Sequence, residues 1–308
     1  MIHRALVGLI LGLSSGGLPG CDTLGPKVGE GTPAEGQSDG AEKLPDGVPF
    51  SPRSAKVQKV VNSGKLPVYT GPFATIRGTV TVSGDEAPYQ QEVLTGIPVE
   101  CTRARVVYER LFREGMKRSA PDALVSAIGY EVYVPVANDA VTVEARGCSW
   151  QTRTVALTYG QRIDVVSRDE RNYLPTLTGN QDPASFVAIA NGKPISIFPR
   201  SPGRFLLNEG TRPYMSSEVF VLKYPTVTVT GLDGRFTLNR VPPGKLTVTA
   251  FLPALLQKVD TALEVRAGQT YEVNLEIPFS LARYRSVSPA PAPAPALAPV
   301  EGKGVSGR

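Results

Sequence analysis

Residues 226–251 read TVTVTGLDGRFTLNRVPPGKLTVTAF, and the fold class follows from them. Apolar and polar side chains alternate along TVTVT (226–230), RFTL (235–238) and KLTVTAF (245–251), the period of a pleated strand with one buried face. The β-branched Val and Thr that fill these runs suit that surface. Asp233-Gly234 stands between the first two runs and Pro243-Gly244 before the third. Asp-Gly tolerates the positive φ angles of a tight hairpin turn, so the segment reads as successive hairpins with Phe236 aimed into a core. The same texture extends in both directions: IRGTVTV (76–82), 141–143, 155–159, 163–165, 219–224, and YEVNLEI (271–277) after Gly268. Asn191-Gly192 separates FVAIA (186–190) from ISIF (195–198) as a second hairpin signal. Short strands at even spacing predict β-sandwich architecture.

One stretch departs from this pattern. Across 105–128, Val107, Tyr108, Leu111 and Phe112 form a helical stripe that Gly115 ends, and Ser119 with Pro121 can open a second short helix, PDALVSAI. This predicts a small helical insertion on a β scaffold. The richest basic stretch of the chain, Arg103, Arg105, Arg110, Arg113, Lys117 and Arg118, overlaps it, is interrupted by Glu109 and Glu114 and reads as a solvated helix face rather than an anion patch. Residues 21–72, rich in Gly, Pro, Ser, Asp and Lys, lack a sustained period and read as a disordered tether, spanning roughly 40 Å as a flexible coil. Residues 280–308 carry PAPAPAPALAP, a polyproline II composition. About 210 residues remain between these ends, enough for two small domains.

At the start, His3 and Arg4 precede nine apolar or small residues, ALVGLILGL (5–13), and then Leu18-Pro19-Gly20-Cys21. A membrane-crossing helix needs about 20 apolar residues, so this run suits the core of a secretory signal (residues 1–20) instead. Leu-x-Gly-Cys after such a run resembles the bacterial lipobox. The resemblance implies a diacylglycerol on Cys21, which becomes the mature N-terminus, and a place in the bacterial cell envelope at the inner or outer membrane. Losing residues 1–20 removes Arg4 and the only histidine, so the formal charge falls by one from +5 to +4. So small and dispersed an excess makes no case for nucleic-acid binding, and no nucleic-acid partner is expected. With Cys21 acylated, Cys101 and Cys148 are an even pair, joined if the compartment is oxidising and otherwise two buried thiols. A bridge closing that loop of about 47 residues would contribute roughly 4 kcal/mol on the chain-entropy model.

Two family resemblances give the modules. Thr230-Gly231-Leu232-Asp233-Gly234-Arg235-Phe236, followed by Pro243-Gly244 and a strand, resembles the carboxypeptidase regulatory-like domain, a transthyretin-like sandwich. Gly78-Thr79-Val80 and Gly96-Ile97-Pro98-Val99 match that family's opening. The expected domain is therefore discontinuous, 73–105 plus 226–279, with 106–225 inserted as the helical pair and a second sandwich. Within the insertion, Gly147-Cys148 with the run TVALTYGQRIDVVSRD (154–169), and Arg212-Pro213-Tyr214-Met215, resemble cupredoxin-like domains. Blue copper needs a thiolate and two imidazoles. Glu209 stands at the cysteine position, Arg212 at the loop histidine and Tyr173 near the first histidine; only Met215, the weak axial ligand, is kept. The resemblance thus implies the fold without the metal: the copper positions are degenerate and no cofactor is expected.

Catalysis finds little to work with. A mature chain without histidine excludes Ser-His-Asp, Cys-His and His-based metal chemistry, and no Walker motif is present. The acidic pairs Asp85-Glu86 and Asp169-Glu170 read as solvated turns, Trp150 as core, and Tyr130, Tyr133 and Tyr173 as a possible exposed aromatic face. The sequence therefore predicts a mainly β protein of two sandwiches, transthyretin-like and cupredoxin-like. It would be non-catalytic, held at the membrane by a lipid anchor, and act as a structural or interaction module for an envelope protein. The alternative is a carbohydrate-binding module with a glycan partner.

Overall fold

The computed structural model describes residues 54–180 and 186–287, all within the unit Leu44–Arg308. Cys21, the signal segment, most of the tether and the Pro/Ala repeat lie outside the described residues. The elements begin with α1 (Ser54–Val61), β1 (Ala74–Gly84), α2 (Gln91–Thr95), α3 (Thr102–Tyr108), β2 (Leu124–Ile128), β3 (Ala140–Arg146), β4 (Ser149–Trp150), β5 (Thr154–Thr158) and β6 (Arg162–Ser167). They continue with β7 (Pro175–Thr178), β8 (Ile195–Ile197), β9 (Gly203–Glu209), β10 (Arg212–Leu222), β11 (Val227–Val229), β12 (Arg235–Val241), β13 (Gly244–Leu252), β14 (Gln257–Val265), β15 (Thr270–Glu272), β16 (Leu275–Phe279) and α4 (Leu281–Val287). The protein is mainly β and is built as two sandwiches, each with its own apolar core.

In the first sandwich, β1 pairs antiparallel with β12 on one side and parallel with β15 and then β16 on the other. The facing sheet runs β11-β2-β13-β14, all antiparallel. Ile76, Val80, Val125, Phe236, Val248 and Ile277 fill the space between them. Gly78 explains the step from β15 to β16. A Cβ there would lie 1.7 Å from the Val273 carbonyl oxygen, so only glycine lets Val273 donate its N–H to Arg77 at 2.9 Å. Asn274 then accepts from the Thr79 N–H at 3.0 Å and the Thr79 hydroxyl at 2.8 Å.

The second sandwich faces the sheet β5-β10-β9-β7 with the sheet β4-β3-β6-β8. Each holds one parallel pair, β5 with β10 and β3 with β6. Trp150 is fully buried between them, as expected, and donates its indole N–H to the carbonyls of Leu207 at 3.1 Å and Met215 at 3.2 Å. That satisfies the one polar atom such a core tryptophan carries. Cys101 and Cys148 form a disulfide. Both belong to this second core, so the bridge ties α3 to the β3–β4 turn and does not join the two sandwiches.

Several expectations are corrected. Asp233-Gly234 and Pro243-Gly244 do not turn hairpins. β11 pairs β2, β12 pairs β1 and β13 pairs β2 and β14, so each turn carries the chain across the sandwich to the other sheet. Asn191-Gly192 makes no hairpin either: Ala188 bridges Tyr173 and β8 pairs β6. PDALVSAI is strand β2, not a helix. Asp122 takes φ 65°, which breaks a right-handed start, and a buried central strand presents the same unbroken apolar run as a buried helix. The stripe Val107, Tyr108, Leu111, Phe112 is buried but split. The first two lie in the second core and the last two in the first core, because α3 stops at Tyr108 and the chain crosses over. The tether contains α1, whose Val57, Val60 and Val61 pack on the second core at helical spacing. The C-terminal segment opens with α4, whose Leu281 and Tyr284 pack on the first core.

The chain therefore visits the second core with α1, the first with β1, the second with residues 97–108, the first with 111–127, the second through β10, and the first to the end. This interleaving differs from the expected split, in which 73–105 belonged with one sandwich and 106–225 with the other.

Candidate functional site

Of the four positions singled out by the cupredoxin resemblance, Glu209, Arg212 and Tyr173 come together. A tight turn at Gly210-Thr211 joins β9 to β10 and sets Glu209 opposite Arg212. The Glu209 side chain is fully buried. Its Oε1 accepts the Leu174 N–H at 2.9 Å and pairs with Arg212 Nη1 at 3.3 Å. Its Oε2 accepts the N–H and the hydroxyl of Thr211, each at 2.8 Å. Burial alone would raise this carboxyl, but those donors and the guanidinium outweigh it and hold it below the usual glutamate value. Arg212 lies over the Tyr173 ring, 5.3 Å from its centroid, a cation–π contact. Met215 is wholly buried on β10.

Tyr173 links this group to the disulfide. Its hydroxyl accepts the Cys148 N–H at 3.1 Å and donates to Asp169 at 2.9 Å. Burial pushes the phenol up to about 12, with the Asp169 charge adding to the rise and the Cys148 N–H opposing it. Asp169 also accepts the N–H groups of Gly147 at 2.6 Å and Arg171 at 3.0 Å, and it is held low despite its burial. The solvated-turn reading of Asp169 is thereby corrected, whereas Asp85 is exposed and its carboxylate also accepts the first N–H of α4 at 2.7 Å. An acidic turn and a buried acceptor of backbone N–H groups look alike in sequence. Tyr173 is fully buried, so it forms no exposed aromatic face with Tyr130 and Tyr133.

These residues do not fit copper. A fixed cation sits among the would-be ligands, the carboxylate already carries its full set of donors, and the phenol keeps its proton. The group is a closed ionic and cation–π cluster.

A second site was not visible in the sequence. A cleft of about 300 Å³ opens between the two sandwiches, within the usual size and place for a small-molecule pocket. Phe112, Leu252 and Pro253 wall it from the first sandwich, and Tyr108, Leu206 and Tyr214 from the second. At its base Arg113 binds Asp122 through both carboxylate oxygens at 2.5 Å, and Asp122 accepts the Thr152 hydroxyl at 2.7 Å and the Arg153 N–H at 2.9 Å. Asp122 thus latches the first sandwich to the second. The solvated-face reading of the basic stretch fails here. Beyond the end of α3, Arg113 turns inward to Asp122, and Arg110 donates to the Ala87 carbonyl at 2.9 Å while stacking on Tyr89. The signal was an arginine run outlasting its helix, and its buried acid partner lies nine residues on.

No protein-family model matches the chain, and no curated protein matches it. Among solved structures it is similar to the copper-containing nitrite reductase of Thermus scotoductus SA-01, at 21% identity over 30% of this chain and 24% of that one, with a TM-score of 0.24. It is also similar to amicyanin of Paracoccus versutus, at 19% identity over 28% of this chain and 84% of that one, with a TM-score of 0.24. The chain spans about a quarter of the nitrite reductase, and each match covers less than a third of this chain.

Proposed function

We propose that this chain is a non-catalytic lipoprotein of the bacterial envelope, anchored through Cys21, whose paired transthyretin-like and cupredoxin-like sandwiches dock another envelope protein. One observation carries the docking. Met116 is 91% exposed and Leu232 67% exposed, on two loops held together by the Ser119 hydroxyl on the Leu232 carbonyl at 3.4 Å. Between them Lys117 and Arg118 take φ 55° and 61°, a left-handed geometry that costs a residue with a Cβ about 1–2 kcal/mol. Arg118 fixes this geometry by donating to the Asp85 carbonyl at 2.7 Å. A strained loop braced so as to hold an apolar side chain in water fits a contact surface better than a fold requirement. A glycan site would call for exposed aromatic rings, and Tyr173 is buried away from Tyr130 and Tyr133; the docking reading is preferred for that reason.

The test is site-specific photocrosslinking in cells. A photoreactive residue at position 116 or 232 of the full chain should join one envelope protein, and the same residue at Lys245, exposed on β13, should not. Equal yields at all three positions, or only glycan adducts, would refute the reading.

A further inference from the structure

We propose that a second copy of this chain pairs with the exposed edge of β14, joining two four-stranded sheets into one across a twofold axis. β14 ends the sheet β11-β2-β13-β14, at the far side from β11 and its Leu232 loop. Among the described residues its backbone bonds to no strand but β13, so one row of N–H and C=O groups is open to a further strand. Natural sheets shorten, bulge or break their edges to prevent such pairing. The other edges of this protein follow that rule. β4, β5, β7, β8, β11 and β15 have two to five residues, β16 carries Pro278 and β12 meets β1 through an irregular register. β14 instead runs nine residues, QKVDTALEV, in unbroken register and without proline or glycine.

The occupant follows from the strand's own sequence, which is self-complementary. Antiparallel pairing about Thr261 sets Lys258 opposite Glu264 of the second copy, Val259 opposite its Leu263, Asp260 opposite its Ala262 and Thr261 opposite itself. Every unlike pair recurs across the axis, as an isologous contact requires. On the outer face Lys258, Asp260, Ala262 and Glu264 are all exposed. The Lys258 ammonium holds Asp260 of its own strand at 2.8 Å and has N–H donors to spare for Glu264. On the inner face Val259 and Leu263 are only half-buried and Thr261 is exposed, although their β13 neighbours Ala250, Leu246 and Val248 are buried. The apolar face thus reaches the last strand uncovered, and Leu263 and Val259 of the second copy would cover it. Neighbouring registers fail on charge. A shift of two residues sets Asp260 against Asp260 in one direction and against Glu264 in the other, and like charges directly opposite destabilise a pair. A shift of one residue turns outer-face side chains toward inner-face ones. One register is left.

The test is disulfide trapping in cells that express the full chain. In this register the two Thr261 Cα atoms lie about 4.5–5.5 Å apart, within reach of a disulfide. Thr261→Cys should therefore give a covalent dimer of this chain under mild oxidation. Leu256→Cys is 66% exposed before substitution but lies roughly 34 Å from its copy in this pairing; it should give none, and neither should the parent. Adding Glu264→Lys should cut the Thr261→Cys yield about fivefold or more, because two attractive pairs become repulsive. Adding Lys258→Glu as well should restore it. Glu264 also faces Lys245 across β13, and Lys258→Glu cannot mend that contact, so recovery reports the pair between copies rather than the fold. A dimer of this chain differs in mass from an adduct with another protein, so this test and that of the Met116–Leu232 surface fail separately. Four outcomes overturn the proposal: no dimer from Thr261→Cys; equal yields from Thr261→Cys and Leu256→Cys; a yield that Glu264→Lys leaves unchanged or that the double reversal fails to restore; or an adduct of Thr261→Cys with a different protein, which would make β14 the edge for that partner.

Discussion

Glu209→Gln tests the closed cluster directly. The carboxylate meets four donors: the Leu174 N–H and Arg212 at one oxygen, and the N–H and hydroxyl of Thr211 at the other. An amide of the same shape must point its NH2 at one of those pairs, so two donors lose their acceptor and face a third. Hydrogen bonds to a charged group contribute about 1.5–3 kcal/mol each, and removing one member of a buried ion pair costs about 3–5 kcal/mol. Arg212 keeps 24% exposure, which lowers the ionic part, and a loss of about 3 kcal/mol follows. For a body of this size that is a fall of about 6–12 °C in melting temperature. The sign of the pH effect is fixed by the carboxyl being held low in the folded protein. Its stabilisation is fully present above the unfolded value of 4.5 and is lost as pH falls through the lower folded value. Urea melts of parent and variant with the disulfide intact should therefore differ most near neutral pH and converge in acid. A gap under about 1 kcal/mol at neutral pH, or one that persists in acid, would refute the account.

Other variants probe other joints. Gly78→Ala should fail to fold or lose more than about 4 kcal/mol, because the added methyl meets backbone rather than a side chain that could move; circular dichroism and yield report it. Cys101→Ser with Cys148→Ser should lose on the order of 4 kcal/mol for a 47-residue loop, and reduction of the parent should match it. Asp122→Asn keeps a residue that tolerates positive φ but breaks the latch, costing about 3 kcal/mol and raising the rate of limited proteolysis between the sandwiches. Cys21→Ser should release the protein from the membrane fraction and abolish labelling by fatty acid; labelling that survives would count against the anchor.

Strand existence was legible because a period of two is a local property, and β1, β3, β5, β6, β10, β11 and β13 all fall where alternation placed them. Partner choice was not. Alternation states which face of a strand is buried, but it does not state which sheet the strand joins, and Asp233-Gly234 serves an arch between sheets as readily as a hairpin. Phe236 was placed in the core correctly. The glycines of the motif have backbone reasons that residue type alone signals: a Cβ on Gly234, at φ 72°, would lie 2.5 Å from the Val80 carbonyl oxygen. Residues 105–128 misled because one apolar run served two cores in turn. The ionic cluster was legible as a departure from a ligand set, since Glu209, Arg212 and Tyr173 were singled out for what they are not. The cleft was illegible because its charges come from both sandwiches and meet only through long-range packing.

The interleaved path has a consequence for how the protein is made. β1 is synthesised early, yet its flanking strands β12, β15 and β16 come close to the end, and Thr79 waits for an acceptor 195 residues further on. Loop closure over such spans precedes any stabilising contact, which slows folding and keeps strands with an apolar face uncovered for longer. The second sandwich has all its strands once β10 is made, but the first, which opens with β1, cannot finish while the ribosome still holds β16. The sandwich whose first strand comes earlier therefore closes last, against the usual N-terminal-first order. Until those last strands are released the first sandwich stays open, and a chain shortened before Thr270 would leave one flank of β1 unpaired.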